Sequence, residues 1–319
     1  WAHDTSNHST WQVADINSGS GDSNAGTFMN YLVGDTLYFG ANDGSTGYEL
    51  WAHDTSNHST WRVIDLWTGG SNGNIHSSFP GYQLDVLVGD TLYFGANNAS
   101  TGNNRQELWA HDTSNHSTWR VNDGSGNGFG VTGFMCVLVG DAFYFSSVDE
   151  LWVHDTSNHS TWLVSDIFSG SVGRYKELLV DDTLYFVASD GSTGMELWAH
   201  DTSNSSTWQV ADIRSGGSDS NPTNHLLLLV GDTLYFDANE GSTGHELWAH
   251  DTSNSSTWRV TDIYSGSGSA FPKYGILVED TLYFSANDGS TGRELWAHRP
   301  STIDYNTNTG GNVTSWAIN

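Results

Sequence analysis

Seven times along the chain, whole or in part, runs the segment Glu-Leu-Trp-Ala-His-Asp-Thr-Ser-Asn. Its tryptophan falls at Trp1, Trp51, Trp109, Trp152, Trp198, Trp248 and Trp296, and Val153 once replaces the alanine. Successive copies lie 50, 58, 43, 46, 50 and 48 residues apart. A unit of that length holds four short strands but cannot bury its apolar surface alone, so copies must pack on one another to make a core. The repeat thus constrains the chain to an array of small, similar units before any single residue is considered.

One complete unit runs from Tyr31 to Leu66, and turn signals divide it into four predicted strands: Tyr31-Leu-Val33, Thr36 to Ala41, Glu49 to Asp54, and Thr60 to Leu66. Gly34-Asp35 suits a tight hairpin between the first two. Asn42-Asp-Gly-Ser-Thr-Gly47 joins the second to the third, its glycines supplying positive φ, and Thr55-Ser-Asn-His-Ser59 joins the third to the fourth. No segment has a helical period, so the fold class is all-β. In the second strand Leu37 and Phe39 oppose Tyr38; in the third, Leu50 and Ala52 oppose Trp51 and His53. Both faces are apolar or aromatic. A two-layer sandwich leaves one polar face on each sheet, whereas sheets stacked around an axis bury both, which selects a β-propeller.

The order Leu-Tyr-Phe, Gly-rich turn, Glu-Leu-Trp-x-x-Asp, short turn, Thr-Trp-x-Val resembles the kelch blade. It is more closely similar to the ELWxxDGT-type repeats of large bacterial and archaeal surface proteins. The resemblance covers residues 1 to about 298. Asp-Thr-Ser-Asn stands here where that family has Asp-Gly-Thr, and the paired glycines of typical kelch repeats are missing. What the resemblance implies is a propeller displayed outside the cell or at its surface; it implies no ligand and no activity.

Four-strand sets begin near Tyr31, Leu84, Val137, Leu178, Leu227 and Ile276, giving six blades. Left over at the start is Trp1 to Ile16, an extra third and fourth strand, while the last unit has only an echo of a fourth at Thr314 to Ile318. The expected closure uses both termini, with the N-terminal segment completing the last blade and hiding two sheet edges. A seventh, partial blade is the alternative. Residues 1–298 form the expected single propeller domain; residues 299–319, opening with Arg299-Pro300, form a tail or linker that could add a last strand. The chain begins inside a repeat and without Met, so a longer, multidomain native polypeptide is expected.

Fifteen Trp, 13 Tyr and 13 Phe supply a core filled by aromatics rather than aliphatics. The 37 acidic residues outnumber the 10 basic ones, and the net charge of −27 opposes phosphate-rich partners; nucleic-acid binding is not expected. Cys136, the only cysteine, can form neither an intrachain disulfide nor a cysteine metal cluster, and it reads as a small buried hydrophobe. No apolar run approaches the roughly 20 residues that cross a bilayer, so membrane insertion is not expected.

Comparing the units with one another shows where chemistry could sit. The loops after each fourth strand read as entirely different: Asn17 to Phe28, Trp67 to Gln83, Gly124 to Phe134, Phe168 to Lys176, Arg214 to His225 and Tyr264 to Tyr274. Their aromatics Trp67, Phe79, Tyr82, Phe129, Phe168, Tyr175, Tyr264, Phe271 and Tyr274 are the candidate ligand contacts, suited to stacking on sugars or packing on protein. The repeated Trp51, His53, Trp109, His111, Trp198, His200, Trp248 and His250 are assigned to structure. One histidine per blade is too widely spaced to share a metal with bonds near 2 Å. Sequons occur at Asn7, Asn57, Asn98, Asn115, Asn158, Asn204, Asn254 and Asn312, open both to turn chemistry and to N-glycosylation. Asp237-Ala-Asn239-Glu-Gly241 has the alternating oxygens of a calcium loop but lacks the later bidentate acid, so calcium is a weak possibility and no other cofactor is expected. No nucleotide-binding or hydrolase motif is present, and no catalytic residue is assigned. The expected function is a non-catalytic binding or display module of a secreted or cell-surface protein that recognises glycan or protein through one loop-rich face. A propeller hydrolase or lyase with an axial site, and a structural spacer, are the alternatives.

Overall fold

In a computed structural model, the structure describes residues 1–27, 29–66, 85–97, 106–122, 131–147, 150–165, 167 and 176–300. Among these every regular element is a strand, and the strands form seven antiparallel sheets in which spatial order follows chain order. The first sheet has two strands, β1 (Ala2–His3) and β2 (Thr10–Trp11). The second has β3 (Asn30–Val33), β4 (Thr36–Asn42), β5 (Tyr48–Asp54) and β6 (Thr60–Ile64). The third has β7 (Asp85–Val88), β8 (Thr91–Asn97), β9 (Gln106–Asp112) and β10 (Thr118–Arg120). The fourth has β11 (Val131–Val139), β12 (Ala142–Ser147), β13 (Glu150–Asp155) and β14 (Thr161–Ser165). The fifth has β15 (Leu178–Val180), β16 (Thr183–Ala188), β17 (Glu196–Asp201) and β18 (Ser206–Ala211). The sixth has β19 (Leu227–Val230), β20 (Thr233–Asn239), β21 (His245–Asp251) and β22 (Ser256–Thr261). The seventh has only β23 (Lys273–Val278), β24 (Thr281–Asn287) and β25 (Arg293–His298). The chain divides into two compact units. One contains Trp1–Cys136, Asp141–Val148 and His154–Trp162; the other contains Val137–Gly140, Asp149–Val153 and the chain from Leu163 onward.

Register is copied from sheet to sheet. Tyr38 faces Ala52 and Phe39 faces Trp51 across β4 and β5, as Tyr235 faces Ala249 and Phe236 faces Trp248 across β20 and β21. Because side chains alternate, one face of each sheet carries the tyrosine, leucine and alanine, and the other carries leucine, phenylalanine, tryptophan and histidine. The two kinds of face pack on each other. In the first unit Tyr38, Leu50 and Ala52 meet Leu92, Phe94 and Ala96 of the next sheet. In the second unit Tyr185, Leu197 and Ala199 meet Leu234, Phe236 and Ala238, while Tyr235, Leu247 and Ala249 meet Leu282, Phe284 and Ala286.

The repeated hairpin consumes its own polar groups. Asp54 accepts from the backbone and hydroxyl of Ser56 and from Asn57 Nδ2 (2.6 Å), and Asn57 Oδ1 accepts from Ser59 N. His58 takes the left-handed conformation (φ 61°) that this tight turn requires. Thr55 donates both its N–H and its hydroxyl to Asp35 O, tying this hairpin to the preceding one. The same contacts recur around Asp112, Asp155, Asp201 and Asp251.

Within residues 1–16, read as an extra third and fourth strand, β1 pairs with β2, His3 opposite Thr10 and Ala2 opposite Trp11, in the register that places His53 opposite Thr60 and Ala52 opposite Trp61. Their own Asp4-centred turn joins them, and among the described residues the β23–β25 sheet has three strands.

Leu247 is fully buried between two sheets. Leu247→Ala should cost about 2–5 kcal/mol, the usual range for a core leucine, read as a lower midpoint in urea denaturation; an unchanged midpoint would contradict this packing.

Candidate functional site

The glutamate before each Leu-Trp anchors the chain as it leaves the fourth strand. Glu49 accepts from Leu66 N (2.7 Å), Glu150 from Ile167 N (3.0 Å), Glu196 from Ile213 N (3.0 Å) and Glu246 from Ile263 N (2.7 Å). Glu196 reaches further, to Ser220 Oγ (2.6 Å) on the far side of the same loop. Burial pushes the carboxyls of Glu196 and Glu246 up to about 7, against the opposing pull of these hydrogen bonds.

Held this way, the loops vary less than their sequences do. In three of them the backbone follows one path: Gly19, Gly216 and Gly266 have φ of 99°, 89° and 87°, and Asn24, Asn221 and Phe271 have φ of 46°, 45° and 47°. The N–H of Asn42, Asn239 and Asn287 closes each loop onto the carbonyl of Ser23, Ser220 or Ala270. The expectation of wholly different loops is therefore corrected for these three: they differ in side chains carried on a common frame. At the frame's first position Asn17, Arg214 and Tyr264 lie over Gly44, Gly241 and Gly289. A Cβ added at Gly289 would sit 2.3 Å from Tyr264 Cζ. Tyr264 thus covers backbone, whereas Phe271 and Tyr274 are exposed, Tyr274 at 78%.

Departures from the repeat gather at one end of the β19–β22 sheet. Asp237 stands where other units have Gly40, Gly95, Ser146, Val187 or Ser285, and His245 where they have Tyr48, Gln106, Asp149, Met195 or Arg293. Asp237 is fully buried and accepts from His225 N (2.8 Å), Leu226 N (2.9 Å) and His225 Nδ1 (3.0 Å), with His245 Nδ1 at 3.6 Å. Burial would raise its carboxyl, but hydrogen bonds from the two imidazoles and the two N–H groups outweigh that and hold it below the ordinary value. An ionised carboxylate only accepts, so His225 carries a proton on Nδ1 and its ring is held in one orientation. Phe271 stacks on His245 (5.0 Å, 24°) and meets His225 edge-on (5.5 Å, 63°). A bulky residue at positive φ is uncommon, and strain of this kind costs roughly 1–3 kcal/mol. Sequence comparison singled out Asp237 and left calcium there as no more than a weak possibility; it did not single out His225 or His245, whose positions vary from unit to unit. Among the described residues no group of three or more His, Cys, Asp and Glu is arranged to hold a metal ion.

Of the other expected contacts, Trp67, Phe79, Tyr82, Phe129, Phe168 and Tyr175 lie outside the described residues, as do Asn98 and Asn312. Asn7, Asn57, Asn115, Asn158, Asn204 and Asn254 sit at exposed hairpin tips, each donating Nδ2 to the repeated aspartate. The repeated histidines are spread one per sheet, and His3, His53, His111, His154, His200 and His250 have Nδ1 on the threonine seven residues on, as in His53–Thr60 and His250–Thr257 (both 2.8 Å). Burial pushes His111 and His154 down to about 4. Trp51, Trp109 and Trp198 are half-buried and Trp248 is buried, with Trp109 and Trp248 packed between sheets. Cys136 is half-buried.

No protein-family model matches the sequence, and no curated protein matches it. Solved structures do. Dipeptidyl peptidase 4 of Porphyromonas gingivalis is similar over 85% of this chain and 43% of its own, at 9% identity and a TM-score of 0.56. Oligopeptidase B of Leishmania major matches 87% of this chain and 39% of its own (13% identity, TM-score 0.47), and TolB of Acinetobacter baumannii 70% and 50% (14%, 0.36). The chain thus spans half or less of the length of these proteins. The likeness to the peptidase, together with the helix-free stack of antiparallel sheets, shows the fold: this is a β-propeller protein.

The raised carboxyls have a consequence for stability. Between about 4.5 and 7 folded Glu196 keeps a proton that the unfolded chain has lost, so its contribution to stability falls as pH rises through that window. Glu196→Gln removes this term, and relative to the parent it should gain about 1–3 kcal/mol between pH 5 and pH 8. Denaturation curves at both pH values measure the gain; parallel loss in both proteins would refute it.

Proposed function

We propose that this propeller is a non-catalytic binding and display module, recognising a glycan or a protein surface through the side chains carried on its fourth-strand loops. One observation carries the reading: on a frame repeated almost unchanged, buried Asp237 fixes His225 and Phe271 is held exposed in a strained backbone. A fixed imidazole beside an aromatic ring suits a sugar, whose hydroxyls hydrogen-bond while its C–H face stacks. Exposed Tyr274, with Lys273 Nζ 5.9 Å from its ring centroid, extends the patch. The net charge of −27 steers away nucleic acid and anionic surfaces, leaving neutral glycans, cationic protein patches or calcium-bridged partners. The sequons, the acidic charge and the similarity to ELWxxDGT-type repeats support an extracellular or cell-surface setting within a larger chain.

A glycan or protein array followed by titration calorimetry tests this. Phe271→Ala with Tyr274→Ala should weaken binding of an array-identified ligand at least about tenfold, ~1.4 kcal/mol, while Asn254→Gln in the hairpin changes nothing. Equal binding by all three proteins would leave only the spacer role. An oriented imidazole is also what general-base catalysis uses. Turnover of a hydrolase or lyase substrate that His225→Ala abolishes would replace the binding reading by the enzyme one.

Glycans are expected on some hairpin asparagines in protein from its native source. Each glycosylated Nδ2 keeps one hydrogen for its aspartate, so the turn survives. An intact mass equal to the bare polypeptide would refute the modification.

A further inference from the structure

One nitrogen beside Asp237 is buried without a hydrogen bond. His245 is 9% exposed, and its Nδ1 has no hydrogen-bond partner among the described residues. It faces Asp237 Oδ2 at 3.6 Å, long for a hydrogen bond, while His225 Nδ1 reaches the same oxygen at 3.0 Å. An ionised carboxylate offers only lone pairs, so a bare Nδ1 there sets lone pair against lone pair. A proton on that nitrogen turns the gap into a charge-assisted hydrogen bond, which favours a shorter contact. His245 is also tied to the loop that follows its sheet. Phe271 stacks on its ring (5.0 Å, 24°), its N–H donates to Ser269 Oγ (3.0 Å), and its carbonyl accepts from Ala270 N (2.9 Å) and Phe271 N (3.2 Å). The imidazole therefore lies between a buried carboxylate and the exposed ring of the candidate site. Other charged groups surround it. Arg293 Nη1 of β25 donates to Phe271 O (3.0 Å), Lys273 follows two residues after Phe271, and Glu240, in the turn before His245, is paired with Arg259 (2.6 Å). Glu246 alternates to the other face of β21, where it accepts from Ile263 N (2.7 Å) and Ala270 N (3.3 Å), and burial pushes its carboxyl up to about 7.

We propose that His245 is a proton-operated clamp on the loop site: by taking up a proton at Nδ1 it closes on Asp237 and pins Phe271, so the site binds more tightly in acid. The ligand half of this rests on the binding reading above; the clamp itself does not. Imidazoles ordinarily change charge near pH 6.5, so the range from pH 8 to pH 5 spans the event. A charged imidazole attracts the face of a phenyl ring more strongly than a neutral one does. A ring already fixed costs a ligand less to order, so affinity should rise about three- to tenfold over that range.

Nitrogen NMR of the full chain with isotope-labelled histidine tests the clamp without any ligand, with circular dichroism checking the fold at each pH. His245 signals are those missing from His245→Gln, a residue that Gln106 already supplies at this repeat position. On acidification His245 Nδ1 should change from bare to protonated, and the Phe271 ring signals should move with it. That movement should persist in Glu246→Gln and be lost in His245→Gln and in Asp237→Ser, serine being what Ser146 and Ser285 provide there. An Nδ1 still bare at pH 5 in folded protein overturns the proposal. So does a Phe271 response that survives His245→Gln, or one that vanishes with Glu246→Gln, which would assign it to the glutamate. Titration calorimetry with an array-identified ligand at pH 8 and pH 5 supplies the second reading. Equal affinity of the parent at both overturns the clamp and leaves the binding module standing; an array without any ligand removes the module, and the NMR result alone upholds or overturns the clamp.

Discussion

Everything in this protein rests on one contact made again and again, in which the Tyr-Leu-Ala face of a four-stranded sheet lies on the Leu-Phe-Ala face of the next. Neither face is viable in water, and neither can be covered by its own sheet, because a single antiparallel meander has two sides and no second layer. Fully buried Leu50, Leu197 and Leu247 and the tyrosine rings set against histidines are the local form of that requirement. Polar demands are met without disturbing it: the strand histidines from His3 to His250 spend Nδ1 on a threonine of their own sheet, and the aspartate of each Asp-Thr-Ser-Asn hairpin is satisfied by that hairpin's own Ser and Asn. The repeated motif is therefore a complete structural statement, which is why repetition of its Trp-x-His carries no functional message.

Function has room only where that statement is relaxed. The glutamate clamps on Leu66, Ile167, Ile213 and Ile263 fix where each fourth-strand loop begins, and the shared positive-φ positions fix its path. Side chains on such a frame can change without moving the backbone, and a rigid frame presents them at little entropic cost to a ligand. In the β19–β22 sheet three substitutions act together, since Asp237 is tolerable inside only because His225, His245 and two N–H groups neutralise its need for water. Phe271 then holds a left-handed conformation that Asn24 and Asn221 adopt more cheaply elsewhere.

Much of this was legible in the residues and some was not. Strand identity followed from alternation at Leu37, Tyr38 and Phe39, and the turns followed from Gly34-Asp35 and Asn42-Asp-Gly. Asp237 was visible as an outlier, but its partners were not, because a calcium loop and a hydrogen-bonded carboxylate share the same local spacing and differ only in what faces them. His225 lies 12 residues away and His245 is on the next strand, so nothing local announced the cluster. Tyr264 and Phe271 look alike as loop aromatics. One covers Gly289 and the other stacks on an imidazole, a distinction made by neighbours from another part of the chain.

The sequence by itself determined the all-β class, the four-strand unit and the burial of both its faces, because periodicity and turn chemistry are properties of consecutive residues. Tertiary structure alone decided that three unlike loops share one backbone and that Asp237 gathers two histidines. Each of those facts depends on which distant segment comes to lie against a given residue. Identical repeats carry identical local instructions, so their differences in environment arise only from position in the array.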